Sequence, residues 1–145
     1  MGKDYFEDKM QLLSEYYAEI VKTYNLKEKK IRNNVMAYIS SNYVLMVTIE
    51  HFGITVSYST KEDLPNMYYC NNFLAEAFDD NDRVGIQLGD DANTRIKNDI
   101  LVTSRGLVSK WENILKGDTK WLEDYKKSMW YSMHPQPRID KTIFD

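Results

Sequence analysis

A single cysteine, Cys70, in 145 residues excludes an internal disulfide and any thiolate-rich metal site. Histidine is almost as scarce. His51 and His134 are the only two, which leaves little material for acid–base chemistry near neutral pH. Six glycines and three prolines provide no linker for a second domain, and neither GxxxxGK[ST] nor GxGxxG occurs to cradle a phosphate. No apolar run approaches the roughly 20 residues that span a bilayer. The charged start, Met1-Gly2-Lys3-Asp4-Tyr5-Phe6-Glu7-Asp8, lacks the apolar stretch of a secretory signal. These absences lead to the expectation of a cytoplasmic protein folded as one domain over residues 1–145.

Positive charge is missing from one region in particular. Between Glu62 and Asn93 the chain carries eight acids, Glu62, Asp63, Glu76, Asp79, Asp80, Asp82, Asp90 and Asp91, against Arg83 alone. Eight acids less one arginine make a local −7 inside a chain whose net charge is −3. Such a patch disfavours nucleic acid and attracts basic partners. Aromatics, by contrast, are plentiful: eleven Tyr, five Phe and three Trp, a load that serves cores and interfaces alike.

Hydrophobic spacing sets the expected elements. Phe6, Met10, Leu13, Tyr17, Ile20 and Tyr24 recur every three or four residues and predict a first helix. The run Lys27-Glu28-Lys29-Lys30 reads as a solvated connection. Val35 to Ile39, Tyr43 to Ile49 and the alternation Ile54, Val56, Tyr58 predict three strands in an antiparallel meander. Asp63 and Pro65 suit the start of a helix bearing Tyr68, Tyr69 and Cys70. Val84, Ile86 and Leu88 alternate as a short fourth strand. Ile96, Ile100, Leu107, Trp111, Ile114 and Leu115 share one helical face; Gly106 within it implies close packing or a kink. Gly117 and Asp118 stop that helix and start another through Trp121, Leu122, Tyr125 and Met129. Residues 131–145 are expected as an irregular tail. The fold class is therefore α+β, with a three- to four-stranded, mainly antiparallel sheet, helices on one face, and the order α-β-β-β-α-β-α-α.

No catalytic constellation accompanies the acidic middle. Cys70 sits in an amphipathic stretch as a small buried hydrophobe would. An EF-hand register begun at Asp80 places Asp82 and Gly85 well, but Val84 occupies the third ligand position and Asp91 stands where a bidentate glutamate belongs. No cofactor or metal is expected. Asp79, Asp80, Asp82, Asp90 and Asp91 instead read as a partner-binding surface with Tyr68 and Tyr69 as anchors, because acids steer association and buried aromatics slow dissociation. Trp130 and Tyr131, with Met129, Met133 and His134, form a second aromatic cluster that either recognises a partner or pins the tail.

A first helix, a small meander, an acidic turn, and a helical C-terminal half carry the likeness to a known class. That half contains Ser104-Arg105-Gly106-Leu107-Val108-Ser109-Lys110-Trp111 and Gly117-Asp118-Thr119-Lys120-Trp121-Leu122-Glu123-Asp124-Tyr125. In general style the chain resembles small bacterial immunity proteins of polymorphic-toxin systems. The resemblance implies a non-enzymatic inhibitor that binds a basic toxin domain. The alternative expectation is a small enzyme or ligand-binding domain with its pocket between the sheet and the C-terminal helices.

Overall fold

The computed structural model describes residues 5–136 and 139–145. Helix α1 (Glu7–Thr23) leads into five strands: β1 (Lys27–Arg32), β2 (Val35–Ile39), β3 (Tyr43–Ile49), β4 (Ile54–Thr60) and β5 (Asn66–Tyr69). Four helices follow, α2 (Asn71–Ala75), α3 (Ala92–Lys110), α4 (Glu112–Leu115) and α5 (Trp121–Lys127). A last strand, β6 (Met133–Pro135), and a 3-10 helix (Lys141–Phe144) complete the described elements.

The strands form one antiparallel sheet in the order β1-β2-β3-β4-β5-β6, so each pairs with its neighbour in sequence. Its helix-side face carries Tyr38, Tyr43, Leu45, Val47, Ile49, Val56 and Tyr58. These meet Met10, Leu13, Tyr17 and Ile20 of α1, Ile96, Ile100 and Leu107 of α3, and Trp121 and Tyr125 of α5. The stripes expected on α1 and α3 are thus largely buried, whereas Met129, expected on the stripe of the last helix, lies beyond α5 and is exposed. Within this aromatic core the Tyr43 hydroxyl donates to the Leu115 carbonyl at 2.9 Å. The Tyr125 hydroxyl lies 2.8 Å from the Tyr69 carbonyl and 2.9 Å from that of Ser132, riveting α5 to the β5–β6 edge. On the opposite face, Val35, Ala37, Ile39, Val44 and Met46 are covered by Ile139, Ile143 and Phe144.

The sheet has six strands rather than three or four, and each discrepancy has a local cause. Lys27–Arg32, expected as a connection, is edge strand β1. Its side chains are mostly exposed, so it has no apolar alternation to betray it, and its lysines protect an open edge from further pairing. Tyr68 and Tyr69 lie in β5, not in a helix, and α2 starts only at Asn71. Val84 to Leu88 makes no strand: Gly85 and Gly89 adopt φ of 87° and 144°, which break the pleat. The tail, expected to be irregular, supplies β6, whose Met67↔His134 pairing extends the sheet beyond β5.

Gly106 is a point of close approach. A Cβ there would overlap the Phe78 ring. Alanine gains about 1 kcal/mol over glycine inside a helix, whereas overpacking a rigid core typically costs about 1–3 kcal/mol. Gly106→Ala is therefore expected to lower stability by about 1 kcal/mol net, measured by urea unfolding, instead of raising it.

Candidate protein-binding surface

Residues 79–91 connect α2 to α3 without regular structure, yet they are fixed in place. Four residues of α3, Thr94, Asn98, Arg105 and Ser109, fall within about 60° of one another at 100° per residue and form a polar stripe. The loop runs antiparallel along this stripe. The Ser109 hydroxyl donates to Asp82 Oδ1 at 2.5 Å, and the Arg105 guanidinium donates to the Val84 carbonyl. Asn98 exchanges two bonds with the Gln87 backbone, at 2.9 and 2.8 Å. Asp91 caps α3 by accepting from the Thr94 amide at 3.1 Å and the Thr94 hydroxyl at 2.7 Å. Loop positions 82, 84, 87 and 91 are thus held at helix positions 109, 105, 98 and 94.

The anchor of this arrangement is an acidic knot. Lys110 Nζ lies 3.0 Å from Asp79 and 3.1 Å from Asp82, and the Asp79 amide donates to Asp82 at 3.0 Å. Asp82 is only 2% exposed. Burial alone would raise its carboxyl, but Ser109, the Asp79 amide and Lys110 together hold it below the ordinary carboxylate range. The Lys110 ammonium lowers Asp79 in the same way and is itself raised by the two acids.

Both acids are depressed in the fold, so their contribution is complete above about pH 4, the ordinary carboxylate range. It is lost as pH falls through their lowered values. The raised Lys110 loses its share only above the ordinary lysine range. The stability gap between the wild type and Lys110→Met is therefore expected to be widest on a plateau around neutrality and to close below about pH 4 in chemical denaturation at stepped pH.

Three of the five nominated acids are thus committed within the fold: Asp79 and Asp82 to Lys110, and Asp91 to the cap. Asp82 faces inward and offers nothing to a partner. Asp80 and Asp90 are exposed, and no hydrogen bond or ion pair engages their side chains among the described residues. The two tyrosines do not join them. Tyr68 is buried with its hydroxyl donating to Asp63 at 2.7 Å, and burial followed by that carboxylate pushes its ionisation up. Tyr69 lies on the other face of the sheet, its hydroxyl accepting from Gln136 at 2.6 Å. Neither is an exposed anchor.

What stands beside Asp80 and Asp90 is apolar. Val84 is 61% exposed, Ile86 41% and Leu88 99%. These three are the residues that sequence reasoning placed in a strand. The signal that would have found them is a pair of glycines, one within and one just after the apolar triplet, followed by a polar stripe on the next helix.

Other candidates settle into structural places. Trp130 packs on the core and donates to Glu76 at 2.6 Å, while the Tyr131 ring lies 5.7 Å from that of Tyr125, so both pin the tail. Burial pushes the Cys70 thiol up to about 12, and its contact is the Val56 carbonyl. Tilted against the rings of Tyr5 and Phe6 lies His51; His134 lies 2.9 Å from the Ser132 hydroxyl. Among the described residues no three His, Cys, Asp or Glu side chains converge as metal ligands, and no helix is long and apolar enough to cross a membrane. Comparison with protein-family models, curated proteins and solved structures finds no match to this chain.

Proposed function

We propose that the protein is a non-enzymatic binding module of the immunity type, which captures a basic protein partner, such as a toxin domain, on the 79–91 loop. The observation that carries this reading is Leu88, almost fully exposed between Ile86 and Asp90 on a loop held by hydrogen bonds along its length. Scattered surface leucines are ordinary, but here three exposed branched side chains fall within five residues of one tethered segment, an apolar patch along the chain. A loop fixed before binding loses little conformational freedom on association, so more of the contact energy appears as affinity. Asp80 and Asp90 flank the patch, where unpaired acids raise the rate of encounter with a cationic surface.

The division of labour gives the test. Capture from native extract at low salt should return one stoichiometric basic protein that is released by raised salt. With that partner purified, reversing Asp80 and Asp90 to lysine should slow association about tenfold at low salt and flatten its salt dependence, leaving dissociation nearly unchanged. An association rate indifferent to both reversals would remove the loop from the interface.

A further inference from the structure

The outer face of the sheet opens into a cleft of about 220 Å³ that shares no residue with the 79–91 loop. Met46, Thr48, Thr55 and Ser57 project into it from β3 and β4, and the exposed Arg32 and Glu50 border it. Ser57 is the informative residue. It alternates with Val56 and Tyr58, which enter the helix-side core, so its own side chain faces the cleft. It is 2% exposed, and its hydroxyl, which bonds to no protein group among the described residues, is not sealed off but opens on the cleft. The hydroxyl is therefore a polar contact that a ligand in the cleft can use and that valine at the same place would not offer.

The charges nearby are unspent as well. Arg32 and Glu50 both line the cleft, but no ion pair among the described residues joins them to each other or to anything else. Glu50 accepts a bond from the Thr55 hydroxyl at 2.9 Å, which orients its carboxylate. A cleft of this size, partly open to solvent, suits a compact metabolite.

We propose that this cleft binds a small zwitterion of amino-acid size, with its carboxylate on Arg32, its ammonium on Glu50 and a polar atom on the Ser57 hydroxyl. A guanidinium offers a planar fork to a carboxylate, and a glutamate accepts the bonds of an ammonium group. The test is thermal denaturation and titration calorimetry of the full chain against a panel of free α-amino acids. Alanine is compared directly with propionate and with ethylamine, its two halves. At least one amino acid should raise the melting temperature by several degrees while neither half does so. Ser57→Val should keep a similar melting temperature and lose the ligand-induced shift, and Arg32→Met should weaken binding about tenfold. The assignment is overturned if no amino acid produces a shift, if propionate or ethylamine alone matches alanine, or if the shift survives in Ser57→Val.

Discussion

Asp82→Ala should lower stability by about 2 kcal/mol and release the 79–91 loop from α3. Removing one member of a buried pair can cost more than this when the other charge is stranded. Here Lys110 keeps a 27% exposed side chain and retains Asp79 at 3.0 Å, so water and the second acid limit the damage. What is lost outright is the acceptor for the Ser109 hydroxyl and the Asp79 amide. The discriminating readout is local. Backbone amides of residues 79–91 should exchange faster in Asp82→Ala, whereas those of β3 and β4 should change only by the global loss of stability. Uniform acceleration across the sheet, with no excess in the loop, would mean that Asp82 merely supports the core.

Leu88→Ala should have the opposite profile: nearly silent in stability and large in binding. The side chain is 99% exposed, so truncation removes no folded contact, and exposed substitutions of this kind stay within about 0.5 kcal/mol. In a complex, the same side chain is expected to be the most deeply covered of the loop. Losing it should cost about 2 kcal/mol, or roughly thirtyfold in Kd, mostly as faster dissociation. Titration calorimetry against the purified partner measures this, with Phe52→Ala as the control, since Phe52 is also exposed but lies in the β3–β4 turn. Equal effects from the two substitutions would deny Leu88 its special place.

The parts of the fold that were legible in sequence are those where burial imposes a period. Met10, Leu13, Tyr17 and Ile20 on α1, and Ile96, Ile100 and Leu107 on α3, repeat with the helix because one stripe meets the core. β4 was legible through its alternation, while β2 and β3, covered on both faces, showed instead as short apolar runs. β1 was not, because an exposed edge strand is held by backbone bonds that any side chain permits, and Lys27–Arg32 reads as charge alone. β6 was hidden too, since three exposed residues leave no pattern.

The site was legible in its charge and illegible in its wiring. Clustering of Asp79, Asp80, Asp82, Asp90 and Asp91 is visible along the chain. Their sorting depends on Lys110, Ser109 and Thr94, which only the packing of the loop along α3 brings near. The same alternation of Val84, Ile86 and Leu88 that suggested a strand is equally compatible with an extended loop. Gly85 and Gly89 at positive φ decide between the two.

The most direct measurement is an amide hydrogen-exchange footprint of the protein alone and with its captured basic partner. Docking on the loop is expected to slow exchange across residues 83–90, with the outer face of the sheet unchanged. Protection confined to β1 or to the β5–β6 edge, with residues 83–90 exchanging as in the free protein, would contradict the proposed surface.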